Sequence, residues 1–249
     1  MKIFIDSADV DRIVEYRQLG LISGVTTNPQ ICARFVVSKS PVDLIRQIVD
    51  VMEGAYVFVQ VISRDPAIQV EEAKFLSDLG PNIVIKVPMD RVGMKSIPQI
   101  VEAGLQVAAT AVNSIGRAIV AAECGAHYMI PYYGWLEDTM ELPTGLIRDA
   151  AAIYKAQGYE TRIHVYCRRV IDIREAALAG AWGVLLQPQD LERFFDHAQT
   201  EVAVNAHAAA WRAQYGETCW LDYREAETFA GRVLQPVGRV GEHSKADEL

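Results

Sequence analysis

The sequence predicts an α/β chain folded as a (β/α)8 TIM barrel with an extra C-terminal helix. Three observations predict it. Short apolar, β-branched segments recur at nearly even spacing, and stretches with helical period and helix-start chemistry separate them. Strand–helix alternation with right-handed crossovers gives a parallel sheet, and eight such units match a closed barrel. A doubly wound sheet would place a GxGxxG turn after its first strand, where this chain has Asp6-Ser7-Ala8-Asp9.

The eight segments are "KIFID" (2 to 6), "GVTTN" (24 to 28), "YVFVQV" (56 to 61), "IVIKVP" (83 to 88), "QVAATAV" (106 to 112), "YMIPY" (128 to 132), "RIHVYC" (162 to 167) and "GVLLQP" (183 to 188). Runs apolar on both faces are those of strands covered by helices on one side and by a barrel core on the other. Between the first four lie helical stretches with Ser7, Ser40 and Asp65 as expected N-caps, the last two directly before a proline. Asp9 is expected in the first turn of the first helix, and Gly20, Gly54 and Gly80 stand where helix C-caps belong.

After the eighth segment, "DLERFFDHAQTEVAVNAHAAAWRAQYG" suggests one short and one long helix. The long helix carries Val202, Val204, Ala209 and Trp211 beyond what closing a barrel requires, so it is expected to pack on a neighbouring subunit or on its own barrel. The expected organisation is a single barrel domain over residues 1–216, including that helix, and a polar, partly disordered tail over 217–249.

A formal net charge of -8 with no basic run argues against nucleic acid or an anionic membrane surface as a partner. Small molecules remain. No apolar run approaches the roughly 20 residues of a membrane span. The cysteines Cys32, Cys124, Cys167 and Cys219 show no CxxC spacing, and the N-terminal "MKIFIDSADV" starts a strand pattern without a signal-peptide core. A reduced, cytoplasmic protein is expected. The C-terminal "KADEL" carries no weight as a retention signal without a secretory leader.

The chemistry is expected where the strands end, on the C-terminal face of the barrel. Within the apolar run "PNIVIKVPMD", Lys86 is out of place: desolvation disfavours an ammonium, and a lysine held neutral is an amine nucleophile. The plain alternative is a lysine that snorkels to water along its own methylenes. Other strand ends carry Asp6, Thr26, Thr27, Asn28, Gln60, Thr110 and Tyr132. Singly, each has an ordinary explanation. Asp6 could be a cap, the threonines strand residues, Asn28-Pro29 a turn, and Tyr132 a core aromatic. Together around one buried lysine they form a costly arrangement unless they act on a ligand. The histidines show neither HExxH nor paired spacing, so no metal is expected, and GxSxG and P-loop motifs are absent.

On these residues the sequence resembles the transaldolase family, and within it the short fructose-6-phosphate aldolases, from Met1 to about Gly216. "GVTTNP" (24 to 29) and "IVIKVP" (83 to 88) are the most specific motifs. The resemblance implies a Schiff-base lysine at Lys86, oriented by Asp6, with the donor ketone bound by Thr26 and Asn28. It further implies that Gln60, Thr110 and Tyr132 hold a catalytic water and transfer protons, as in the aldolase branch; transaldolases proper have glutamate and phenylalanine in place of Gln60 and Tyr132. It also implies no cofactor and a pentameric or decameric homo-oligomer.

Three positions depart from that pattern. Trp135 stands at the arginine expected to receive an acceptor phosphate, Tyr166 replaces a serine, and Ile130 replaces a small residue. A neutral indole lacks the bidentate grip of a guanidinium. The acceptor is therefore expected to be uncharged, with an apolar or aromatic end, unless Arg168 or Arg169 meets its anion. Ile130 is expected to narrow the donor side. The resulting expectation is a class I aldolase joining a small ketone, dihydroxyacetone or hydroxyacetone, to an aldehyde. The alternatives are a transaldolase passing a three-carbon ketol unit between sugar or sugar-phosphate acceptors, and a sugar-binding barrel without catalysis.

Overall fold

The computed structural model describes residues 1–36, 40–132 and 143–223. The chain divides into two compact units, Met1–Asp196 and His197–Leu249.

In the first unit, eight parallel strands close into a barrel in chain order: β1 (Lys2–Asp6), β2 (Gly24–Thr26), β3 (Tyr56–Gln60), β4 (Ile83–Pro88), β5 (Val107–Val112), β6 (Tyr128–Pro131), β7 (Arg162–Tyr166) and β8 (Gly183–Leu186). The described helices between them are α1 (Val10–Gln18), α2 (Pro29–Phe35), α3 (Pro41–Met52), α4 (Pro66–Ser77), α5 (Gly93–Glu102), α6 (Ile115–Glu123), α7 (Pro143–Gln157), α8 (Val170–Leu178) and α9 (Pro188–Glu192). The predicted (β/α)8 architecture is the one found.

Two apolar layers follow from the strand alternation. Ile5, Val25, Val57, Ile85, Ala109, Met129, Val165 and Val184 face outward and pack under the helices. Phe4, Phe58, Val84, Ala108, Tyr128, Ile130 and Leu185 face inward and fill the barrel. Inward alternation carries polar residues to the top of that filling. The register sets Asp6 beside Thr26, Gln60 beside Lys86, and Pro88 beside Thr110.

Several local expectations change. The N-cap of α1 is Asp9, which accepts a hydrogen bond from the Arg12 amide at 3.3 Å; Ser7 instead accepts from the Asp9 amide at 3.0 Å, one turn earlier. Ser40 and Asp65 cap α3 and α4 as expected. Gly20 and Gly54 adopt φ values of 68° and 84°, the left-handed ends anticipated for them. Gly80 is not in that region. Its reason is contact: a Cβ there would lie 2.5 Å from Val49 Cγ1 of α3. Strand β2 stops at Thr26, because Asn28 turns to cap α2 by accepting from the Ile31 amide at 2.9 Å. Helix α2 was not anticipated.

The second unit is described over residues 197–223. It holds α10 (Ala198–Tyr215), the expected long helix, whose Val202 and Val204 are exposed. A 3-10 turn at Trp220–Tyr223 follows, within the stretch expected to be tail. Trp220 lies against Trp211 with ring centroids 4.7 Å apart, and Trp211 Nε1 donates to the Thr218 carbonyl at 2.7 Å.

Candidate active site

Lys86 is 2% exposed and projects from the middle of β4 into the barrel. Its Nζ donates to Thr26 Oγ1 at 3.0 Å and to the Thr27 carbonyl at 2.9 Å. The snorkelling alternative therefore does not describe this lysine. Burial holds the amine below the usual lysine pKa, opposed by the nearby Asp6 and Cys32. The Asp6 carboxyl is raised by burial, opposed by Lys86, by a hydrogen bond from Thr26 and by Arg34. Burial thus presses both members of the pair toward their neutral forms.

Above Lys86 opens a cavity of about 450 Å³. Asp6, Asn28, Gln60, Lys86, Thr110 and Tyr132 all line it, so six of the eight strand-end residues singled out in the sequence converge on one space, while Thr27 Oγ1 donates to the Phe58 carbonyl at 3.0 Å. Thr26 does not line it and is linked to it by accepting the Lys86 hydrogen bond. The hydroxyls of Thr110 and Tyr132 lie 3.1 Å apart, and burial raises the Tyr132 phenol above the usual tyrosine range. On the far wall Tyr166 meets Tyr132 nearly edge-on, with centroids 6.1 Å apart and planes at 71°.

The floor is aromatic. His164 is fully buried between Phe4, at 4.1 Å between centroids, and Phe58, at 5.4 Å. Neither of its ring nitrogens meets a hydrogen-bond partner in good geometry among the described residues. Burial, with Lys86 nearby, pushes its pKa down to about 3, so the imidazole is neutral.

Among the described residues, no group of three or more histidine, cysteine, aspartate or glutamate side chains stands close enough to hold a metal ion. No described helix is long and apolar enough to cross a membrane.

The Transaldolase/Fructose-6-phosphate aldolase family model matches residues 3–227. The chain belongs to this family. It is 36% identical over 215 residues to a protein of Geobacillus kaustophilus named probable transaldolase, covering 86% of this chain and 100% of that one. It is 34% identical over 212 residues to a probable transaldolase of Hydrogenobaculum sp., covering 85% and 96%, and 35% identical over 214 residues to one of Methanococcus maripaludis, covering 86% and 98%. The protein is an enzyme of the aldolase or transaldolase type.

The remaining positions expected from the transaldolase family fall unevenly. Arg168 lines the cavity, its guanidinium 5.9 Å from the Tyr166 ring centre. Arg169 does not line it: its Nε and Nη2 reach Asp172 Oδ1 at 2.9 and 2.6 Å, at the start of α8. The buried Asp172 carboxylate draws it there. Ile130 lies one layer down, in the barrel filling. Trp135 lies outside the described residues. Sequence reasoning missed Arg34, which lines the cavity from α2, and Gln187, at the end of β8. Gln187 is visible as the polar end of "GVLLQP"; Arg34 carries no signal, because the Asn28-Pro29 start of α2 also fits a turn.

Proposed function

We propose that this transaldolase-family enzyme is a class I aldolase, using Lys86 to join a small ketone, dihydroxyacetone or hydroxyacetone, to an aldehyde. The observation that carries the reading is the buried Lys86 amine beneath a cavity whose wall, from the neighbouring β5 onward, holds the Thr110–Tyr132 hydroxyl pair. The neutral amine adds to the ketone carbon. The nitrogen gives up one proton and keeps the other, an acid of the site supplies a second proton to the carbonyl oxygen, and that oxygen leaves as water, so a protonated C=N⁺ bond replaces C=O. That iminium receives the electron pair when the adjacent carbon loses a proton, and a neutral enamine results. The enamine carbon then bonds to the aldehyde carbon while the aldehyde oxygen takes up a proton. Water returns to the new iminium, and Lys86 is released as an amine. Tyr132, supported by Thr110 and by a water held at Gln60, moves these protons. Asp6 and Thr26 orient the amine, and Asn28 holds a donor hydroxyl. Of the two alternatives for the acceptor, Arg34 and Arg168 on the wall favour an anionic end over an apolar one.

The names of the relatives favour a second reading, in which the enamine waits on Lys86 for another aldehyde and the ketol unit is transferred. The two differ in whether the enamine is protonated and hydrolysed. Product analysis with and without an added aldehyde separates them, since only the aldolase releases free ketone. The same proposal places the enzyme in the cytoplasm as a homo-oligomer, with the exposed valines of α10 against a neighbouring copy; sedimentation velocity tests the assembly.

The central test is borohydride reduction with hydroxyacetone, read by peptide mass. The adduct is expected on Lys86 and absent in Lys86→Ala, which should keep its circular dichroism spectrum. An adduct on any other lysine overturns the assignment.

A further inference from the structure

Strand β5 breaks the alternation on which the barrel is built. Ala108 packs in the inner layer and Val107 and Ala109 in the outer, so strict alternation would point Thr110 and Val112 inward. Thr110 does so. Val112 instead packs in the outer layer. The change of parity falls on Ala111: the pairing with β6 shifts between Thr110 and Val112, and Ala111 adopts φ of 58°. That is the left-handed region, where a Cβ crowds the following carbonyl. A bulge between parallel strands is uncommon, and bulges serve to re-aim side chains beside active sites. Strain of this kind persists only where the surroundings fix it.

Two consequences reach the cavity. The isopropyl group of Val112 is turned out of the barrel, and Ala111 takes its place among the residues that line the cavity. Past the bulge, the backbone of β6 continues toward β7, with Tyr132 bridged to Tyr166, while the Tyr132 hydroxyl leans back to Thr110 at 3.1 Å.

We propose that Ala111 is a positioning residue, whose left-handed bulge holds the Thr110 hydroxyl against the Tyr132 phenol and keeps an aliphatic side chain out of the substrate space. The inference rests on the reading of Tyr132 as the proton-transfer group. It makes backbone conformation at residue 111, rather than its side-chain size, the controlling property.

The test compares Ala111→Asn with Ala111→Val in the full chain. Both add bulk, but asparagine tolerates the left-handed region and valine does not. The expected result is a kcat loss at least about tenfold larger for valine than for asparagine, with the KM for hydroxyacetone and the rate of borohydride trapping changing far less than kcat. Equal losses in the two variants, or a valine variant as fast as the parent, overturn the proposal. If the valine variant does not fold, Ala111→Leu takes its place under the same criterion. A second arm puts Ala111→Leu into a Tyr132→Phe background, where its effect on kcat should largely vanish; an undiminished effect shows that residue 111 does not act through Tyr132 and also overturns the proposal. Failure of the parent enzyme to trap at Lys86 is a distinct outcome, which removes the proposed function and this inference with it.

Discussion

Burial moves Lys86 and Tyr132 in opposite directions on the pH scale, each toward its uncharged form, as the proposed nucleophile and acid require. Turnover should therefore rise with pH through a range below that of ordinary lysines, and fall again only above the ordinary tyrosine range. Tyr132→Phe keeps the volume and removes the proton, so kcat should drop about 10- to 1,000-fold while trapping at Lys86 persists; unchanged turnover contradicts the role. The two cations make a separate prediction. Arg168→Ala should raise the KM for glyceraldehyde 3-phosphate by about tenfold, the scale of one charge-assisted hydrogen bond, and leave that for glyceraldehyde nearly as it was. Equal effects on both aldehydes would sink it. Lys86 was legible in the sequence because an ammonium contradicts the apolar run around it. Arg34 was not, since Asn28-Pro29 reads equally as a turn or a helix start. Arg168 and Arg169 are neighbours of one type, and only the placement of Asp172 separates them.

At the scale of elements, the strand positions were legible because a segment buried on both faces writes a continuous apolar run. The bulge in β5 was not: "AATAV" gives small residues to both faces, so a change of parity leaves no mark on the pattern. The same limit hid the role of Gly183, which opens β8. A Cβ there would come within 2.9 Å of His164 Cδ2 and 3.3 Å of the Lys2 carbonyl. His164, wedged against Phe4 and Phe58, has little room to withdraw. Gly183→Ala should cost about 1–3 kcal/mol in urea unfolding, the usual range for overpacking a filled core. His164→Ala in the same chain should recover part of that loss, and a stable single variant would show the barrel floor to be looser than its contacts imply.

For the whole molecule, the cavity is a place where stability is given up. Between the lowered pKa of Lys86 in the fold and the ordinary lysine value, the unfolded chain binds more protons than the folded one, so stability rises with pH across that window. Lys86→Met removes the group that resists burial. It should stabilise the fold at pH 7 by about 1–2 kcal/mol, and the gain should shrink as pH approaches the ordinary lysine range. A destabilised methionine variant would mean that the hydrogen bonds to Thr26 and Thr27 outweigh desolvation. The aromatic floor bears on traffic as well. With Phe4, Phe58, Tyr128 and His164 filling the barrel beneath the lysine, the cavity is closed on that side among the described residues. Under the proposed function, whatever bonds to Lys86 stands at that closed end, and its reaction partner binds on the side away from the aromatic floor. If the proposed aldolase reading holds, the ketone should arrive first and depart last, and an aldehyde supplied in excess should obstruct the enzyme by occupying the passage ahead of it.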